Sequence, residues 1–215
     1  MRGRPAPGEP VASDGTSSTI PLSGDDRARL LAVLAEQSAK AQVLIGLLLL
    51  DGLKLDEILE LDVPDISGQP PQLDVSVTRD AAAKLFTLHP TTSTSLVDHL
   101  GHRSIGPLLT GRGNDEGRLT RFGADYLVKR AGRDAGLDAP LTTNMLRRTY
   151  VSHAHEAGDH VDDIRHRVGH HDVRTTRRLL PALGDSPGRP APSKESPPTT
   201  GGKSHVDAAS VRSLP

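Results

Sequence analysis

The chain has 215 residues, no cysteine, no tryptophan, two tyrosines and two phenylalanines, and a formal net charge of −1. The lack of cysteine excludes disulfides, thiolate zinc sites and cysteine nucleophiles. The near-balance of charge gives no overall electrostatic sign of a polyanionic partner, and with so few aromatics any core must be built from Leu, Val, Ile and Ala.

The charges are unevenly spread. Asp25 to Leu100 carries about six more acids than bases, and Gly101 to Leu180 about four more bases than acids. This split is read as either a basic face in the second half or an ordinary solvated surface. The most apolar run, Ala41 to Leu50, is about half the length a membrane span needs. The opening "MRGRPAPGEPVASDG" has no apolar signal core. The expectation is a soluble, cytoplasmic chain with no membrane partner.

Residues 1–24 and 182–215 are rich in Pro, Gly, Ser and Thr and lack hydrophobic period. Such stretches bury too little apolar area to offset their ordering entropy, so both are expected to be disordered tails. Residues 25–181 form one candidate domain.

Asp25 or Asp26 can cap a helix through "RARLLAVLAEQS". "AKAQVLIGLLLLD", Ala39 to Asp51, reads as a buried helix that Gly52 ends. "LKLDEILELDVPDI" then starts a helix with Leu55, Ile58 and Leu59 on one face and Asp56 and Glu57 in its first turn, where acids suit the helix dipole. Pro64 stops it. Leu73 to Thr78 alternates like a strand, and "AKLFTLHP" is its expected partner across a turn at Asp80 and the alanines. "TTSTSLVDHLG" is a capped helix. Another starts near Thr120 and stops at Gly136. A third follows, capped by Thr142 or Thr143. "HVDDIRHRVG" puts Val161, Ile164 and Val168 on one face, and Asp172 caps "DVRTTRRLL". The fold class expected is mostly α with a small β-ribbon, α+β.

Three stretches in this order carry a resemblance. "LLLLDGLKLDEILELDVPDI" resembles the "TGLR-x-SEL" helix-turn-helix of the tyrosine recombinases, also called phage integrases. "LTTNMLRRTYVSHAHEAGD" resembles their "H-x-LR-H-T" helix, and "IRHRVGHHDVRTTRRLL" their "LGH-x-x-x-x-TT-x-x-Y" segment. The resemblance covers Asp26 to Pro181 and implies the DNA breaking-rejoining fold of the family's catalytic domain. It implies double-stranded DNA as partner, no metal, cofactor or small-molecule substrate, and a reaction in which a tyrosine attacks a DNA phosphodiester. In that chemistry two arginines hold the phosphate oxygens, a ribbon lysine protonates the leaving oxygen, and histidines assist.

The resemblance places the family's first arginine on Lys54, which keeps the charge and loses the planar fork. It places the ribbon lysine on Arg79, a poor acid, with Lys84 as the substitute if the ribbon is shifted by a few residues. The histidine of "H-x-LR" falls on Asn144. Arg147 keeps the second arginine and His170 the histidine of the Gly-His corner. The nucleophile position falls on Leu179. Its neighbours Arg178, Leu180 and Pro181 carry no hydroxyl, and the chain has no tyrosine after Tyr150. Tyr150 and Tyr126 read as packing residues.

Each matched residue also has a plainer reading. Lys54 can be an exposed lysine after a turn. Arg147 can bond neighbouring helix ends, and His170 can close the corner. Arg148, Arg174, Arg177 and Arg178 are candidate DNA-backbone contacts or a solvated face, and His171 reads as surface. His153, His155, His160, His166, His170 and His171 invite a metal reading. But no glutamate stands between His166 and His170, and the neighbouring arginines repel a cation, so no metal is expected. The family's members carry an upstream helical domain and often exchange a C-terminal helix. Here low-complexity sequence takes both places, which predicts a truncated clamp, weak self-association on DNA and, with Leu179, a chain impaired in cleavage. Bound to DNA it would be nucleoid-associated. The alternatives kept open are an active recombinase with another nucleophile and a helical interaction module that has left DNA.

Overall fold

The computed structural model describes residues 20–111, 117–170 and 172–179, the last three of these by backbone alone. Residues 1–19 and 182–215 of the expected tails lie outside the described residues. Residues 20–23 do not belong to a tail. The Leu22 amide donates to Thr149 Oγ1 at 2.9 Å, Leu22 packs on the core, and Ser23 caps the first helix, its Oγ accepting from the Asp26 amide. The cap is therefore Ser23 and not Asp25 or Asp26, because the helix starts one residue before the expected domain boundary.

The helices and strands run α1 (Gly24–Leu34), α2 (Ala39–Leu49), α3 (Leu55–Glu60), β1 (Ile66–Gln69), β2 (Gln72–Arg79), β3 (Ala82–Thr87), α4 (Pro90–Leu100), α5 (Arg121–Asp134), α6 (Thr143–Glu156), α7 (Val161–Val168) and α8 (Val173–Leu179). α2 is the centre of the core. Val43, Leu44, Ile45, Leu47 and Leu48 are all fully buried, as expected for a helix apolar on every side. α4, α5 and α6 pack around it, and α1 packs against α5. Leu and Val carry the packing that aromatic residues would otherwise share.

α3 is shorter than the stretch up to Pro64 predicts. It spans six residues, and the chain then passes through a 3₁₀ turn at Val63–Asp65 into β1. Pro64 suits the start of that turn, and β1 has no alternation that would have marked it as a strand. The sheet is antiparallel in the order β1-β2-β3. Asp80 and Ala81 form the two-residue hairpin turn, both at positive φ (52° and 60°), which matches the twist of the flanking strands. On β2, Leu73, Val75, Val77 and Arg79 are all buried. The strand's period of two therefore puts Arg79 on the core-facing side.

α6 and α7 pack through a second small cluster of Val151, Ala154, Ile164 and Val168, against which Tyr150 rests. Tyr126, read as a packing residue, is instead 41% exposed on α5. Among the described residues no helix is long and apolar enough to cross a membrane.

Candidate functional site

Lys54 is the N-cap residue of α3. Gly52, two residues before it, sits at φ +70°, and a Cβ there would lie 2.5 Å from the Tyr150 ring. Only glycine lets the α2–α3 turn approach α6 so closely. Lys54 Nζ lies 3.9 Å from Glu57 Oε1, and the Lys54 amide donates to Glu57 Oε2 at 2.9 Å.

The hairpin brings Arg79 to the same carboxylate. Arg79 Nε donates to Glu57 Oε1 at 2.7 Å, Nη2 to Oε2 at 2.9 Å, and Nη1 to the His166 carbonyl at 2.6 Å. Its side chain is 6% exposed. The guanidinium at the expected ribbon-lysine position is therefore turned inward. It pins β2 to the first turn of α3 and the last turn of α7. Lys84, the substitute, is half-exposed on β3 with Nζ 3.9 Å from Asp80 Oδ2.

From α6, Arg147 donates through Nη2 to the Val168 carbonyl at 2.7 Å, with a long contact from Nε to the Gly52 carbonyl at 3.5 Å. Burial weighs against its charge, the Glu57 carboxylate favours it, and Arg79 opposes it. α7 ends at Gly169, which is left-handed (φ +66°). A Cβ there would sit 3.0 Å from both Arg79 Cζ and Lys54 Nζ. This bare corner is where the cations meet. His170 follows it, its Nδ1 2.9 Å from Thr176 Oγ1 on α8. Burial, then Arg147, Lys54 and Arg79, push its pKa down to about 4, so the imidazole is neutral at pH 7.

Lys54, Arg79, Arg147 and His170 thus converge on the Gly169 corner. One cleft there is lined by Lys54, Glu57, Arg79, Lys84, Gly169 and His170 among others. An adjoining one is lined by Asn144, Arg147, Arg148, Val151, His170 and Thr175. Asn144 is exposed at the start of α6, and Arg174 is exposed on α8. Leu179 is the last residue of α8, one helical turn beyond Thr175. The side chains of Arg177, Arg178 and Leu179, and all of His171, Leu180 and Pro181, lie outside the described residues. Among the described residues no group of three His, Asp or Glu side chains could hold a metal.

Sequence reasoning missed three partners. Glu57 follows Lys54 by three residues, a capping-box spacing that could have marked it. Thr176 was visible only as part of a motif. The third is the pair formed by Asp51, fully buried, and Arg167 on α7, whose Nη2 donates to Asp51 Oδ1 at 3.1 Å. No local signal joins residues so far apart in sequence.

The model of the phage integrase family matches residues 21–180. The chain belongs to the phage integrase family. Its fold is that of a tyrosine recombinase catalytic domain. The chain is 23% identical over 146 residues to the tyrosine recombinase XerD of Listeria innocua, covering 63% of this chain and 48% of that protein. It is 24% identical over 159 residues to the tyrosine recombinase XerA of Thermococcus kodakarensis, covering 73% of this chain and 56% of that one. It therefore spans about half the length of these two recombinases. Among solved folds it is similar to a crystal structure of XerA recombinase (TM-score 0.65, 20% identity, 77% of this chain and 61% of the other). It is also similar to the XerH recombinase bound to its difH substrate (TM-score 0.63, 17% identity, 74% and 49%). At that identity the likeness is one of fold.

Proposed function

We propose that this chain is a phage integrase family domain that grips a backbone phosphate of duplex DNA without cutting the strand. The observation that carries the reading is the convergence of Lys54, Arg147 and His170 on the bare Gly169 corner. Lys54 Nζ and the outer edge of the Arg147 guanidinium offer charged donors to a phosphate oxygen. His170, neutral when free, adds a ring nitrogen. Arg148 and Arg174, with Arg177 and Arg178, extend the contact along the backbone. Recombinases of similar fold have been solved on DNA, which favours DNA as the partner.

The reading without cleavage rests on chemistry. Transesterification needs a hydroxyl nucleophile, and electrostatic stabilisation only lowers the barrier of an attack that must still occur. Residue 179 is leucine, and the residues beside it are arginine, leucine and proline. Arg79 has committed its donors to Glu57 and His166 and hardly releases a proton. Residues 20–181 are proposed as one such domain, associated with DNA in the cytoplasm and pairing only weakly with a second copy.

Two measurements test this. A gel-shift titration of duplex DNA should show binding at ~50 mM salt that falls by roughly two to three decades by ~200 mM, the slope for about five phosphate contacts. No shift at low salt refutes DNA binding and leaves an interaction module. A nicked suicide substrate should yield no covalent protein–DNA adduct. An adduct refutes the reading without cleavage and points to another nucleophile.

A further inference from the structure

Arg167 takes no part in the cleft lining described above, yet from the helix that leads to His170 it reaches both the turn before Lys54 and the end of the hairpin. Its Nε donates to the Asp51 carbonyl at 2.9 Å and its Nη2 to Asp51 Oδ1 at 3.1 Å, at the turn that leads into Lys54. The same Nη2 donates to the Thr87 carbonyl at 2.6 Å, at the end of the hairpin strand paired with the one that carries Arg79. Its guanidinium carbon stands 5.2 Å from the centroid of the Phe86 ring, and that of Arg79 stands 4.7 Å from the same ring. Asp51 Oδ1 also accepts from the His89 amide at 2.7 Å, which ties the start of α4 to the same carboxylate. Arg167 lies two residues before Gly169 and three before His170.

We infer that Arg167, acting with Asp51 and Phe86, is a positioning residue that sets the spacing of Lys54, Arg79 and His170 around the phosphate grip. The physical reason is the nature of the three segments. A turn, a two-residue hairpin and a helix corner have little rigidity of their own, and the long hydrophobic core lies behind them, around α2. A fully buried carboxylate and a guanidinium with fixed donor directions impose a geometry that apolar packing does not. Burial raises the Asp51 pKa, and Thr92, then the His89 amide and Arg167, oppose that rise. A buried pair held against desolvation is costly unless geometry requires it. Phe86 passes the constraint on, because two guanidinium groups contact one ring. Moving Arg167 frees the ring, and with it the side of Arg79 that leans on it.

This inference rests on the DNA-binding reading only for its affinity arm; the position of His170 tests it without DNA. The variants are Arg167→Met, which keeps the length of the side chain and removes the fork, and Arg167→Lys, which restores the charge alone. Arg130→Met, on the exposed side of α5, controls for the loss of one cation. Each is measured well below its unfolding midpoint, with circular dichroism to show that it is folded. The expected result for Arg167→Met is a loss of duplex affinity of roughly tenfold, the worth of one charge-assisted hydrogen bond. The His170 titration midpoint, followed by NMR, should rise above about 4 as Lys54 and Arg79 move away from the ring, while burial and Arg147, which Arg167 does not hold, keep it below 6.5. Arg167→Lys should recover little of either, and Arg130→Met should change the affinity less and leave the midpoint in place.

A folded Arg167→Met protein with unchanged midpoint and affinity within about twofold overturns the inference and leaves Arg167 a stabilising residue only. If Arg167→Met does not fold, Phe86→Leu serves instead, because it removes the shared ring and keeps the buried pair. An unchanged midpoint there overturns the inference equally. If the unaltered protein shows no duplex affinity, the DNA-binding reading fails, and the His170 midpoint still decides the role of Arg167.

Discussion

Replacing Glu57 with glutamine takes the carboxylate away from a guanidinium that has almost no solvent. Arg79 is 6% and Glu57 10% exposed at the side chain, and two bonds of 2.7 and 2.9 Å join them in a fork. Breaking a buried pair from one side costs about 3–5 kcal/mol, because the remaining charge is left without its counter-ion. Glutamine keeps one oxygen that can accept from Arg79, so the lower figure, about 3 kcal/mol, applies to Glu57→Gln. For a domain of this size that lowers the unfolding midpoint by roughly 6–12 °C. The assay is urea unfolding with thermal melting as a second probe, and an unchanged m-value shows that stability alone has moved. The double variant Glu57→Gln with Arg79→Met removes both charges. It should lose less than Glu57→Gln alone, since no buried cation is stranded. A loss under about 0.5 kcal/mol for Glu57→Gln would refute the claim that Arg79 is held as a structural cation.

Gly52→Ala should destabilise the domain by about 2–4 kcal/mol, since the new Cβ meets the Tyr150 ring at 2.5 Å and the residue must hold a positive φ; chemical unfolding measures it. Arg147→Ala should weaken duplex binding by roughly tenfold or more and reduce the salt slope by about one contact, and an unchanged slope counts against its phosphate role. His170 should titrate near 4 in the free protein against 6.5 for the ordinary imidazole. Its folded value lies below its unfolded one, so its contribution to stability is full above pH 6.5 and is lost as pH falls from 6.5 to about 4. With the side chain about half exposed the effect on stability is small. Bound DNA phosphate favours the charged imidazole and should raise the midpoint, which NMR titration with and without duplex measures.

Much of this protein is written locally. The period of the leucines marks α2 as the buried helix, the threonine caps mark the starts of α5 and α6, and the glycine before His170 marks the end of α7, because each signal lies within one turn of its consequence. The family motifs lie close to single elements too, with Arg147 on α6, His170 just after α7 and Leu179 at the end of α8. β1 could not be read along the chain, because four residues without alternation become a strand only when β2 lies beside them. The inward turn of Arg79 was half legible. The alternation of Leu73, Val75 and Val77 predicts its face, but Glu57 as its partner depends on how the hairpin folds over α3. The Asp51–Arg167 pair was not legible at all, since 116 positions separate the two residues. The amino-acid order determined which side chains are available at the corner, Lys54, Arg79, Arg147 and His170 among them. The tertiary structure alone decided which cations neutralise a buried carboxylate and which face the cleft, because that outcome depends on distance and desolvation between segments the sequence keeps apart.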